Sequence, residues 1–125
     1  METFNIEKIG PGAWYMIHLM AANSKTEPQI KAFHELAGII SMKFFCMRCR
    51  DHFARNLKKF PPPKVNDYNE LFTWSVEMHN KVNYVNNKQL ISSEEAIQQY
   101  SGAGATCSGD CGANPATSLP TSELL

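Results

Sequence analysis

The sequence has no long apolar run, no excess of charge of either sign and few cysteines. No stretch approaches the ~20 apolar residues that a membrane-spanning helix needs, so we expect no membrane span. The first residues show no basic stretch followed by an apolar one, and they are not rich in Arg or Ser, so we expect neither a secretory signal nor a mitochondrial presequence. Twelve basic and twelve acidic residues cancel, which gives no support for nucleic acid or a charged membrane as the main partner.

The scarce cysteines are placed in a way that argues against a disulfide framework. They form two close pairs, Cys46-x-x-Cys49 and Cys107-x-x-x-Cys111. A protein stabilised by a disulfide framework usually spreads its cysteines so that the bonds close long loops. Pairs this close suit metal binding or reversible thiol chemistry better.

The body of the chain predicts five helices. The first covers GPGAWYMIHLMAA, with Pro11 in its first turn, and its inward positions recur at i, i+3, i+4 and i+7. These positions are Trp14, Ile17, His18 and Ala21. The third helix begins at the CMRC segment and ends at Phe60, because the three prolines that follow remove hydrogen-bond donors and fix φ.

Capping-box spacing marks the starts of the second, fourth and fifth helices. A Ser, Thr or Asp followed three positions later by Glu or Gln is typical of a helix N-terminus. The pairs are Thr26 and Gln29, Asp67 and Glu70, and Ser92 and Glu95. The fourth helix is expected to break at NNKQ, and the short fifth helix to end at Tyr100.

The composition changes at Ser101. Residues 101–125 contain four of the seven glycines, two prolines and no aromatic residue, so they cannot bury enough apolar area to offset the entropy of ordering. We expect a folded domain over residues 1–100 and a flexible tail over residues 101–125. The tail nevertheless carries Cys107 and Cys111, and a mobile segment with a cysteine pair can act as an arm.

The Cys46 and Cys49 pair at a predicted helix start leaves several interpretations open. Backbone N–H groups and the helix dipole favour a thiolate there, and Arg48 and Arg50 add positive charge, which suits dithiol–disulfide exchange. A non-enzymatic zinc module would use Cys46, Cys49 and His52 and complete its ligands from the tail cysteines or another histidine. A thioredoxin-like reductase would place Cys-x-x-Cys near a βαβ pattern, and no strand-rich segment occurs. An inert pair is the remaining interpretation.

Three motifs occur in a fixed order along the chain. They are Gly10-Pro11-x-x-Trp14-x-x-x-His18, Cys46-x-x-Cys49-x-x-His52-Phe53, and Trp74-x4-His79-Asn80-Lys81-Val82-Asn83 followed by Lys88. In this order they resemble the Erv/ALR family of FAD-linked sulfhydryl oxidases, over roughly residues 10 to 100. The resemblance implies an all-α fold, a four-helix bundle plus a short fifth helix enclosing FAD, usually as a homodimer.

The resemblance also implies an activity and partners. Members of the family oxidise dithiols of substrate proteins to disulfides and pass the electrons through FAD to molecular oxygen, giving hydrogen peroxide. Cys49 matches the flavin-proximal sulfur, and Cys46 matches the sulfur that meets incoming thiols. Cys107 and Cys111 fall outside the match, but family members often carry a shuttle disulfide on a flexible segment at either end, and the tail fits that role. The positions that match FAD contacts are Gly10, Trp14, His18, Phe44, Cys49, His52, Trp74, His79, Asn80, Val82, Asn83 and Lys88.

Two departures from the family pattern bear on structure and origin. Val76 stands where a structural cysteine often lies, so the usual helix-tethering disulfide is not expected. The short chain resembles the minimal versions that large DNA viruses encode. We therefore expect the host cytoplasm or the virion if the protein is viral, and the mitochondrial intermembrane space if it is cellular.

Overall fold

The structure, a computed structural model, describes residues 5–101, which form five α-helices and the segments that connect them. The helices are α1 (Ile6–Ala22), α2 (Glu27–Lys43), α3 (Met47–Lys59), α4 (Glu70–Val85) and α5 (Ser93–Ser101). No strand occurs between residues 5 and 101, so the predicted all-α class is confirmed. None of these five helices is long and apolar enough to cross a membrane. Residues 1–4 and 102–125, and with them most of the predicted tail, lie outside the described residues.

Helix α1 begins earlier than the sequence predicted. Asn5 caps it, with its side-chain oxygen accepting a hydrogen bond from the backbone N–H of Glu7 at 3.1 Å. Pro11 therefore lies inside the helix and not in its first turn, and this part of the prediction was wrong. A proline inside a helix removes one i to i−4 hydrogen bond. The periodicity around Trp14 gave no sign of the extra turn, because that turn is set by the cap at Asn5.

The predicted starts of α2 and α3 are confirmed. Thr26 caps α2 through both hydrogen bonds of a capping box with Gln29, and a proline occupies the first turn. Helix α3 has Cys46 as its N-cap and Phe60 as its C-cap, immediately before the three prolines. Helix α5 also starts as predicted, since the Ser92 hydroxyl accepts the backbone N–H of residue 95 at 3.1 Å.

Helix α4 begins at Glu70, and its N-cap lies two residues after the predicted N-cap Asp67. Its N-cap is Asn69, which has a left-handed backbone (φ 61°, ψ 33°) and makes no capping hydrogen bond with its side chain. The buried side chain of Asn66 takes over that role, because its Oδ1 accepts the Leu71 N–H at 2.9 Å. Its Nδ2 donates to the Ser24 carbonyl at 2.6 Å. Asn66 thus ties the α1–α2 turn to the start of α4.

The helices associate mainly in two pairs, α1 with α4 and α2 with α3, and α4 also contacts α3 and α5. The main core cluster consists of Ala21, Phe33, Ala37, Phe53, Leu71, Trp74 and Met78. A second cluster of Phe72, Val76, Ile91 and Ala96 holds α5 against α4. Burying a large apolar side chain of this kind contributes about 1.5–3 kcal/mol. This packing brings the N-terminal half of α1, the end of α4 and the start of α3 around one cavity.

Candidate active site

Cys46 and Cys49 form a disulfide at the first turn of α3. Their Cα atoms lie 5.2 Å apart, and both residues are half-buried. The Cys46 sulfur accepts a hydrogen bond from the Cys49 backbone N–H at 3.3 Å. After reduction, this N–H and the positive end of the helix dipole would stabilise a Cys46 thiolate. A stabilised thiolate is what disulfide exchange requires.

A cavity of about 420 Å³ lies beside this disulfide. The N-terminal half of α1, the end of α2, the first two turns of α3 and the end of α4 surround it. Its volume falls in the range of small-molecule and cofactor sites. The lining residues are Glu7, Gly10, Ala13, Trp14, Ile17, Ile40, Phe44, Cys46, Arg48, Cys49, His52, Phe53, Val82, Asn83, Asn86 and Lys88.

The cavity walls combine aromatic and aliphatic surface with a few charges. Trp14, Phe44 and Phe53 supply the aromatic surface. Arg48 and Lys88 supply positive charge, and Glu7 is the acidic residue in the lining. Such walls suit a ligand with a planar apolar ring system and an anionic part, because the apolar surface buries the rings and fixed cations pair with the anion.

Two buried histidines hold Trp14 in the cavity wall. The indole ring stacks on the ring of His79, with centroids 4.3 Å apart and an interplanar angle of 7°, and it lies 5.8 Å from the ring of His18. Each histidine is 2% exposed, and neither belongs to the cavity lining. The histidines therefore orient the indole from outside the cavity.

A chain of hydrogen bonds fixes the protons of this histidine pair. The Ser75 hydroxyl donates to the Phe72 carbonyl at 2.6 Å, so its oxygen accepts the Nδ1–H of His18 at 2.8 Å. His18 Nε2 then carries a lone pair and accepts the Nδ1–H of His79 at 3.1 Å. Burial, and secondarily the neighbouring His79, lowers the pKa of His18 from 6.5 to about 3. His18 is therefore neutral near pH 7, as this network requires.

The two asparagines of the HNKVN segment position the loop that carries Lys88. Asn80 makes two hydrogen bonds with the backbone of Ile91, donating to its carbonyl and accepting its N–H at 3.0 Å. The Asn83 carbonyl accepts the backbone N–H of Lys88 at 2.8 Å. Asn87, with φ 57°, turns the chain between them. Through these contacts the loop brings Lys88 to the cavity, where Asn83 is also a lining residue.

Trp74 belongs to the main core and does not line the cavity. It is 3% exposed, and its Nε1–H donates to the Phe60 carbonyl at 2.9 Å. Its ring meets that of Phe33 edge-to-face, with centroids 5.8 Å apart. Trp74 thereby fixes the C-terminal end of α3 against α4; this position indicates a structural role, whereas the family resemblance implies contact with FAD.

The structure brings most of the predicted site residues together. Those in the cavity lining are Gly10, Trp14, Phe44, Cys46, Cys49, His52, Val82, Asn83 and Lys88. Those outside the lining are His18, Trp74, His79 and Asn80. Cys107 and Cys111 lie outside the described residues, so nothing in the structure bears on them.

Several lining residues were not assigned to the site from the sequence. They are Glu7, Ala13, Ile17, Ile40, Arg48, Phe53 and Asn86. Helical spacing could have found some of them, because residues three or four apart share a helix face. Ile17 follows Trp14 by three positions, and Phe53 follows Cys49 by four.

The described residues offer no ready metal site. Between residues 5 and 101, no group of three or more His, Cys, Asp or Glu side chains could hold a metal ion. Cys46 and Cys49, which the zinc alternative would use as ligands, are bonded to each other. This arrangement favours thiol exchange over metal binding at the start of α3.

Fold and site together define a class of protein: a helical bundle with a Cys-x-x-Cys disulfide on the wall of a cofactor-sized cavity. The model of the Erv1 / Alr family matches residues 11–101, so the chain belongs to the Erv1 / Alr family.

Relatives agree with this assignment, and a solved structure shares the fold. The chain is 34% identical over 80 residues to the FAD-linked sulfhydryl oxidase ERV1 of Oryza sativa subsp. japonica, covering 62% of this chain and 41% of that protein. It is 26% identical over 97 residues to a probable FAD-linked sulfhydryl oxidase of Acanthamoeba polyphaga mimivirus, covering 74% and 68%. A crystal structure of a mutant of Erv1 from Saccharomyces cerevisiae superposes with a TM-score of 0.72 at 22% identity, covering 82% of this chain and 88% of that one. The chain thus spans less than half the length of the plant relative that it matches.

Proposed function

We propose that this chain is an FAD-dependent thiol oxidase that forms disulfide bonds in substrate proteins. The observation that carries the proposal is the Cys46–Cys49 disulfide, which lies at a helix N-terminus on the wall of an aromatic cavity. A disulfide in that position can exchange with thiols and also lie against a bound cofactor. The relatives are named FAD-linked sulfhydryl oxidases, which supports the same activity.

FAD fits the chemistry of the cavity. The aromatic and aliphatic walls suit a flavin ring, and Lys88 suits a pyrophosphate. When bound, FAD would supply two-electron redox chemistry between a dithiol and an acceptor. The residues proposed to contact it are Gly10, Trp14, Phe44, Cys49, His52, Val82, Asn83 and Lys88. His18 and His79 would act through Trp14, and Asn80 would act through the loop of Lys88.

The exchange at the disulfide balances in electrons and protons. A substrate thiolate attacks the sulfur of Cys46, forms a mixed disulfide and releases Cys49 as a thiolate. The second substrate thiol then attacks the substrate sulfur of the mixed disulfide, which gives the substrate disulfide and releases Cys46. In total the substrate loses two electrons and two protons, and the Cys46–Cys49 pair gains them. The resemblance supports this order, with Cys49 on the flavin side.

The remaining parts of the proposal concern partners. Cys107 and Cys111 would act as a shuttle pair that takes electrons from a protein substrate and passes them to Cys46–Cys49. Molecular oxygen would be the acceptor, giving hydrogen peroxide, and the chain would work as a homodimer. Replacing both tail cysteines by serine should spare oxidation of dithiothreitol but impair oxidation of a protein substrate. Wild-type rates with both substrates in this variant would remove the shuttle from the scheme.

The visible absorption spectrum of the purified protein tests the central claim. We expect a flavin spectrum that bleaches when dithiothreitol is added without oxygen. The Cys49→Ser variant should keep the flavin spectrum but lose bleaching and turnover. A colourless protein that holds zinc and unfolds with a chelator would overturn the proposal in favour of the zinc module.

A further inference from the structure

The charges of this neutral chain are strongly segregated. Residues 43–64 contain seven of the twelve basic residues but only one of the twelve acidic residues, Asp51. The basic residues of this segment are Lys43, Arg48, Arg50, Arg55, Lys58, Lys59 and Lys64. The zero net charge of the whole chain therefore hides a strongly positive segment, which includes the whole of α3.

On α3 most of these charges form one exposed stripe. Positions 48, 51, 55, 58 and 59 recur at helical spacing on one side of the helix, and all five are exposed. We call Arg48, Arg55, Lys58 and Lys59 the basic stripe. The opposite side of the helix carries Phe53, which belongs to the main core. At 1.5 Å per residue, the stripe extends about 17 Å from the redox disulfide along the helix.

The stability of α3 does not explain the basic stripe. Lys58 and Lys59 in the last turn suit the helix dipole, but the first turn has Arg48 and no acidic residue, which is the unfavourable arrangement. Asp51, on the same side of the helix, offsets one positive charge, but Arg55 still has Lys58 and Lys59 as like-charged neighbours at i+3 and i+4, and such pairs destabilise a helix. No ion pair within 4 Å involves these four side chains among the residues that the structure describes. A binding partner outside residues 5–101 therefore accounts for the basic stripe better than the stability of the fold does.

We propose that the basic stripe docks an acidic segment of the substrate protein and so delivers its cysteine to the Cys46–Cys49 disulfide. This inference rests on the proposed thiol oxidase function and adds a substrate class to it: dithiol proteins with acidic residues near the reacting cysteine. The stripe begins between the two cysteines, so a segment bound along it lies next to the disulfide. A positive surface also attracts the substrate thiolate and raises the association rate. Nucleic acid fits less well, because it carries no thiol for the adjacent disulfide.

The test compares two peptide substrates with the same pair of cysteines, one followed by four glutamates and the other by four glutamines. The wild-type holoenzyme should oxidise the acidic peptide with a kcat/KM about tenfold higher, and added salt should remove the difference. The triple variant R55E/K58E/K59E should lose this preference, while its oxidation of dithiothreitol stays unchanged. The matched control K8E/K25E/K31E alters net charge equally at three exposed lysines off α3, and it should keep the preference.

Different failures have different meanings. Equal kcat/KM for both peptides in the wild type, or an unchanged preference in the R55E/K58E/K59E variant, would overturn the docking proposal alone. A wild-type protein that does not oxidise dithiothreitol would overturn the proposed oxidase function. In that case the basic stripe can still be tested by binding alone. Fluorescence anisotropy would compare the binding of a labelled, cysteine-free acidic peptide with that of a labelled oligonucleotide of the same charge. Binding of the oligonucleotide but not of the peptide would contradict docking of an acidic protein segment.

Discussion

Nε2 of His18 lies 3.1 Å from Nδ1 of His79, and this buried contact joins α1 to α4 behind the cavity wall. Burial keeps His18 neutral, and the Ser75 hydroxyl, which accepts the Nδ1–H of His18, fixes its tautomer. His79 in turn stacks on Trp14, which lines the cavity. The contact therefore links helix packing to the orientation of an aromatic wall of the proposed cofactor site.

Stability should fall in mild acid because of His18. Its pKa is lowered from 6.5 to about 3 in the fold, so between these values the unfolded chain binds a proton that the folded chain does not. Unfolding free energy should thus be lost as the pH falls below about 6.5, at up to about 1.4 kcal/mol per pH unit from this one group. Urea denaturation at a series of pH values measures this slope. His18→Asn should show a shallower slope than the wild type, and identical slopes would contradict the assignment.

Removing the Ser75 hydroxyl should destabilise the fold. Ser75→Ala removes the buried hydroxyl that accepts the Nδ1–H of His18, so we expect the free energy of unfolding to drop by about 1–3 kcal/mol. Ser41→Ala is the matched control, because the Ser41 hydroxyl bonds only a carbonyl of its own helix, Gly38, in a half-buried position. Chemical denaturation near pH 7 compares the two variants. Equal losses in both would show that the histidine network contributes nothing special.

The helix starts show which parts of the fold the sequence could predict. Thr26 and Gln29 lie three residues apart, so their capping box is visible as a local pattern. The start of α4 is not visible locally, because Asn66 serves it while also bonding Ser24, which is 42 residues away. Similarly, Pro11 was compatible with a first turn, and only the cap at Asn5 decided otherwise.

The site shows a second limit of sequence reasoning. A motif residue that touches a ligand and one that supports such a residue follow the same linear pattern. The sequence thus grouped His79 with Trp14, although only Trp14 lines the cavity. Ser75 is 57 residues from its partner His18 and belongs to no recognised position of the motifs, so its role became visible only in three dimensions.

Asn80 lies outside the cavity lining, but its two hydrogen bonds to Ile91 should raise the affinity for the cofactor. Asn80→Ala releases the backbone of Ile91 and should loosen the loop that carries Lys88. We expect FAD affinity to fall about tenfold, the equivalent of one good hydrogen bond. Titration of apo-protein with FAD, followed by flavin fluorescence, measures it. Asn23→Ala, which removes one exposed bond to Leu19, is the control and should leave the affinity unchanged.

The two tryptophans should separate into a ligand-contacting and a structural residue. Trp14→Phe shrinks a cavity wall and should weaken FAD binding, with a smaller effect on stability. Trp74→Phe removes the donor of a part-buried hydrogen bond to the Phe60 carbonyl and should cost about 0.5–1.5 kcal/mol of unfolding free energy. The folded Trp74→Phe protein should still bind FAD with wild-type affinity, because that ring lies outside the cavity lining. Trp74→Phe could instead weaken FAD binding as much as Trp14→Phe does at an equal folded fraction. That result would contradict a purely structural role and support the direct FAD contact that the family resemblance implies for Trp74.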